Sequence, residues 1–88
     1  MRELSLDAKI EAVLFLLGEP VKIDFLAKIL EVDKNEISEA ILSLEKNLEN
    51  RGICLIQKDE KIMLATSPDA ADITKKIIKE KNEEELTK

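Results

Sequence analysis

Only one long stretch of this chain departs from helical periodicity, and it restricts the folds open to the rest. Ile53 to Gln57 and Ile62 to Thr66 are short β-rich runs joined through Lys58-Asp59-Glu60-Lys61, whereas the apolar residues on either side recur at spacings of three and four. An isolated hairpin is barely stable in water, so helices must cover one of its faces. The turn lacks the Asn-Gly or Asp-Gly pair that most strongly favours a two-residue hairpin connection.

The helical stretches carry their own boundaries. Leu6, Ile10, Val13, Leu14 and Leu17 define a first helix near residues 5 to 17, with Ser5 placed to cap it and Gly18 and Pro20 to end it. Pro20-Val21-Lys22 is restricted to a short extended piece. Phe25, Leu26, Ile29 and Leu30 then mark a short second helix. Asp33 and Glu36 have the spacing of a capping box ahead of a third helix, whose apolar face is Ile37, Ala40, Ile41, Leu44 and Leu48. Gly52 stands where a left-handed helix end belongs. After the hairpin, Ala70, Ile73, Ile77 and Ile78 mark a fourth helix, and the polar run Glu80 to Glu85 reads as linker or frayed tail.

Helix, short extended piece, helix, helix, hairpin and helix is the order of a winged helix-turn-helix. The expected fold is therefore mainly α with a small β-hairpin, in a winged-helix domain over residues 1–80. Residues 81–88 are expected to be a linker or the start of a second winged-helix domain.

At 88 residues such a domain is near the size where a single core becomes marginal. Phe15 and Phe25 are its only aromatic residues, so burial of a second face against a partner would add stability where the core is small. The N-terminal residues have no signal-peptide layout, and the longest apolar run, Ala12 to Leu17, is too short to span a bilayer. The single cysteine, Cys54, excludes an internal disulfide, and the chain reads as soluble and cytoplasmic.

Catalytic chemistry finds little to work with. Histidine is absent, which removes the commonest general base, and one cysteine without histidine cannot build a structural zinc site. Cys54 lies between Ile53 and Leu55 with no adjacent cation to stabilise a thiolate, so a packing role is expected. Asp59 and Glu60 are flanked by Lys58 and Lys61 and read as a self-neutralised turn rather than an acid–base pair. Gly18 has no glycine partners for a phosphate-binding loop. The chain is read as non-enzymatic, with no cofactor and no metal.

A winged helix brings DNA binding to mind, but the charges oppose it. The net charge is −5, and Glu36, Glu39, Glu45 and Glu49 on and near the third helix outnumber Lys34, Lys46 and Arg51. Ser38, Ser43, Asn47 and Asn50 could in principle read bases, yet the glutamates among them would repel phosphates. Lys75, Lys76, Lys79 and Lys81 are largely cancelled by Glu80, Glu83, Glu84 and Glu85 and read as a solvated helical face. DNA would be bound weakly at most.

The first helix carries more apolar surface than one core requires. Ala8, Ala12 and Phe15 gather on the arc opposite its core face, with Leu16 beside them. That second face either packs against the fourth helix or forms a homodimer seam, where Ala8 and Ala12 allow close approach and Phe15 anchors.

The stretch Ile10-Glu11-Ala12-Val13-Leu14-Phe15-Leu16-Leu17-Gly18-Glu19-Pro20-Val21 resembles the opening helix and Gly-Glu-Pro turn of the segregation and condensation protein B family. Leu26 to Leu30, the leucines from Ile41 to Leu48, Gly52 to Leu55 and Leu64-Ala65-Thr66-Ser67-Pro68 continue the likeness, which covers about residues 6 to 80. Its specificity lies in the ordered sum, since no single motif is unique. Departures are Lys22 where a Ser or Thr commonly caps the second helix, Leu16 in place of a small residue, and a shorter wing with Ile62-Met63 replacing an aromatic–basic pair.

The resemblance implies a non-catalytic subunit of the bacterial SMC–kleisin complex for chromosome condensation and segregation, nucleoid-associated in the cytoplasm. It implies a homodimer that binds the kleisin subunit ScpA and, through it, SMC. The dimer interface expected on this basis comprises Ala8, Ala12, Phe15 and Leu16, with Met63 on the wing nearby. A DNA-binding winged-helix regulator is the alternative, and a winged-helix interaction module of an unrelated complex is a third reading.

Overall fold

In the computed structural model, which describes residues 3–86 and side chains through Asn82, the elements follow the expected order. They are α1 (Leu6–Leu17), β1 (Val21–Lys22), α2 (Ile23–Leu30), α3 (Lys34–Asn47), β2 (Ile53–Lys58), β3 (Lys61–Thr66), a single 3-10 turn (Pro68–Ala70) and α4 (Ala71–Leu86).

Local chemistry accounts for most boundaries. The Ser5 hydroxyl accepts from the Ala8 amide at 3.2 Å, and Gly18 at φ 63° donates its amide to the Leu14 carbonyl at 3.1 Å. Lys22 precedes α2 without offering a side-chain cap. Two expectations fail. Asp33 makes no side-chain capping bond, so no capping box forms. The left-handed residue after α3 is Asn50, at φ 61°, and Gly52 has no positive φ. Asparagine tolerates that conformation through its short polar side chain, which spares glycine the task.

The three strands form one antiparallel sheet in the order β1-β3-β2, with Val21 opposite Ile62 and Leu55 opposite Leu64. The hairpin closes through Asp59 and Glu60, both with positive φ (50° and 63°). That two-residue geometry suits the twist of the strands, but neither residue adopts it cheaply. The Glu60 carbonyl accepts from the Ile23 amide at 2.9 Å, tying the wing's tip to the start of α2.

The core lies between the helices and the inner sheet face. Ile10, Leu14, Leu26, Ile37, Leu44 and Ile62 are the largest fully buried side chains, joined by Val21, Ile23, Ala40 and Ile41. An ion pair between Lys34 and Asp24 (2.8 Å) bridges the starts of α3 and α2, and its hydrogen bond raises the Lys34 pKa above the ordinary lysine value.

α4 departs from expectation in extent and in packing. The segment from Glu80 onward, read as linker or tail, continues the helix to Leu86; Thr87 and Lys88 lie outside the described residues. Among the described residues, the helix makes its substantial contacts only with the 3-10 turn before it. Ile73, Ile77 and Ile78 are 63%, 54% and 55% exposed. The radius of gyration, 16.0 Å, accordingly exceeds the roughly 12 Å of a compact domain this size.

Candidate interaction surface

Helix α1 divides its apolar residues between two media. Ile10 and Leu14 are buried, with Leu6 and Val13 packed beside them. A turn of about 100° per residue places Ala12, Phe15 and Leu16 on the other side. Phe15 and Leu16 are 78% and 82% exposed, Ala12 is exposed and Ala8 half-buried. Covering by the fourth helix of the same chain, one of the two readings of this face, is not what the fold does.

The face continues onto the sheet. Phe15 and Gly18 line a shallow groove with Ile53, Leu64, Ala65 and Thr66, where the C-terminal end of α1 meets the base of the wing. Ile53 is half exposed and extends the apolar surface beyond the helix. Its contribution was hidden in the sequence because a residue at a strand's start carries no sign of which helix end it will meet.

Met63 stands apart. It lines a separate groove with Pro20, Ile56, Lys58, Lys61 and Ile62. Register explains the separation. Leu64 and Leu55 point to the core, so Met63 and its cross-strand partner Ile56 face outward. The structure thus brings Phe15, Leu16 and Ala12 onto one surface and places Met63 on the outer face of the hairpin.

The third helix, where a DNA-binding winged helix would read bases, is committed otherwise. Ser43 donates its hydroxyl to Asp7 Oδ2 at 2.6 Å, and Asn47 donates Nδ2 to the same oxygen at 3.4 Å. Both side chains therefore tie α3 to the start of α1. The outward side presents Glu39, Glu45 and Glu49 against Lys46, with Leu42 69% exposed among them. Such a surface repels phosphate.

Cys54 is half-buried on β2, its thiol 3.7 Å from the Thr66 carbonyl. Among the described residues no group of His, Cys, Asp and Glu side chains is placed to hold a metal ion, and no helix is long and apolar enough to cross a membrane.

This arrangement has known counterparts. Segregation and condensation protein B of Clostridioides difficile is 39% identical over 83 residues, covering 89% of this chain and 46% of that protein. The protein of the same name from Caldanaerobacter subterraneus is 36% identical over 75 residues, covering 83% of this chain and 45% of its own length. The chain thus spans about half the length of the curated relatives it matches. A crystal structure of a dimer of the ScpB N-terminal domain complexed with ScpA peptide superposes with a TM-score of 0.75 at 32% identity, covering 81% of this chain and 91% of that one. The model of the family described as segregation and condensation complex subunit ScpB matches residues 8–88, and the chain belongs to that family.

Proposed function

We propose that this chain is a non-catalytic assembly module of a chromosome-segregation complex, which pairs with a second copy of itself and binds the kleisin ScpA, and through it SMC. The observation that carries this reading is the outer face of α1: Phe15 and Leu16, two large apolar side chains, stand 78% and 82% exposed on a helix whose other side is core. A face of that kind is the mark of an interface rather than of a free surface. The dimeric, ScpA-bound state of a domain with the same fold supports the assignment.

Ala12, Phe15 and Leu16 form the centre of the dimer surface in this reading, with Ala8 at its margin and Met63 on the neighbouring wing. Small Ala8 and Ala12 let helices approach closely, and Phe15 supplies the anchor. The ScpA segment binds an apolar groove left by the paired domains, in the manner of a helix laid into a groove. No proton transfer or covalent step is asked of the chain, whose place is in the cytoplasm at the nucleoid. The acidic outer side of α3 speaks against the alternative, a DNA-binding regulator.

Isothermal titration of the chain with ScpA tests this reading. Saturable binding by the wild-type chain, weakened by Phe15→Asp, is the expected result. Absence of heat and of any complex on gel filtration, at concentrations where the chain is folded, overturns it.

A further inference from the structure

The fourth helix poses a problem that the dimer reading alone leaves open. A 16-residue helix is marginal in water without packing, yet α4 lies off the body with Ile73, Ile77 and Ile78 exposed. Its direction is fixed at its root. The Ser67 amide donates to the Gly52 carbonyl at 2.8 Å, the Ser67 hydroxyl accepts from Asp69, and the Ala70 amide returns to the Ser67 carbonyl at 2.9 Å. Pro68 occupies the first turn, where its ring holds φ near the helical value. These bonds anchor the start of α4 to the base of the wing.

We infer that α4 packs on the outer face of α1 of a second copy, and that the exchange is reciprocal across a two-fold axis. This deepens the homodimer reading above and rests on it. Each chain then contributes one apolar donor helix and one apolar receiving face, and both orphan surfaces are covered by one operation. Among the described residues, neither surface is covered by its own chain.

Charge selects this pairing over others. The receiving face is bordered by Glu11 and Glu19; of the cations beside it, Lys9 is engaged by Glu3 at 3.6 Å and Arg51 lines a groove with Ala8, Glu11 and Ile53, which leaves the border acidic by one charge. The groove along α4 is lined by Ile73, Lys76, Ile77, Glu80 and Lys81, with lysines in excess. An acidic border therefore meets a basic one when α1 receives α4 of the partner. Pairing α1 with α1 would instead bring glutamates together, and pairing α4 with α4 in the register that joins Ile73 to Ile77 would oppose Lys75 to Lys75.

Charge reversal distinguishes the arrangements. One variant carries Glu11→Lys and Glu19→Lys, the other Lys76→Glu and Lys81→Glu. Each is read by sedimentation equilibrium of the 88-residue chain, with circular dichroism to verify folding. Each variant alone should dimerise about tenfold more weakly than wild type, or worse. An equimolar mixture should recover wild-type affinity, because both contacts of the mixed dimer regain opposite charges. Undiminished dimerisation of the Lys76→Glu, Lys81→Glu variant, or a mixture as weak as its components, overturns the exchange while leaving the dimer itself standing. A monomeric wild-type chain overturns both.

Discussion

Leu14 and Phe15 are adjacent in sequence and belong to different environments: Leu14 is 2% exposed and Phe15 78%. One peptide unit separates the domain's core from its candidate interface. The helix turn alone produces this division, since successive residues of α1 are rotated by about 100°.

Truncation at the inner position should therefore act on folding. Leu14→Ala is expected to lower the unfolding free energy by about 2–5 kcal/mol, from a total of roughly 4–13 kcal/mol for a chain of this length. Urea denaturation followed by circular dichroism measures it. A loss under about 1 kcal/mol would mean that the core closes around the gap, contrary to the close packing of a protein interior.

The two glycines should respond differently to alanine. Gly18 has φ 63° and open space around it, so Gly18→Ala meets no atom and costs only the left-handed strain, about 1 kcal/mol. Gly52 has no positive φ and a methyl group added there meets no atom within 4 Å, so Gly52→Ala should be close to neutral. Equal destabilisation of both would contradict this assignment.

The wing turn is open to improvement. Asp59 and Glu60 both hold positive φ, which asparagine and glycine adopt with less strain. Asp59→Asn combined with Glu60→Gly should raise the denaturation free energy by about 1 kcal/mol. A fall instead would show that side chains of the turn make stabilising interactions beyond the backbone geometry.

The fold was largely legible because its signals are local. Ser5 and Gly18 bracket α1 through bonds that span three or four residues, and Pro20 confines the chain to the extended piece that becomes β1. Where the outcome turned on longer range, sequence said less. Asp33 has the right type and spacing for a capping box, yet its side chain makes no capping bond. Asn50 took the left-handed position assigned to Gly52, because either residue tolerates it. For α4, periodicity in Ile73 and Ile77 announces a helix but does not reveal that, among the described residues, these side chains stay exposed.

The candidate site was legible in part for the same reason. Ala12, Phe15 and Leu16 follow from a helical wheel, whereas Ile53 joins them only through tertiary structure. The sequence places Met63 on the wing near this face; strand alternation turns it to the outer side of the hairpin, where it lines a groove with Pro20 and Ile56. Ser43 and Asn47 are polar residues on a recognition-position helix, and only the fold reveals that both are bonded to Asp7.

DNA binding gives a direct check on the electrostatic argument. Fluorescence anisotropy of a labelled duplex at low salt should stay flat to about 50 μM of the chain, a range in which non-specific binders register. Saturable binding that weakens steeply with salt would favour the regulator reading.

The central claim is that the outer face of α1 joins two copies of the chain. Sedimentation equilibrium of wild type and Phe15→Asp, with circular dichroism on both, tests it most directly. Wild type should associate to twice its mass of 10.0 kDa, while Phe15→Asp remains folded, losing only the stability that association adds, and sediments as a monomer. A wild-type chain that stays at 10.0 kDa at every concentration, or a Phe15→Asp variant that dimerises undiminished, would contradict the account.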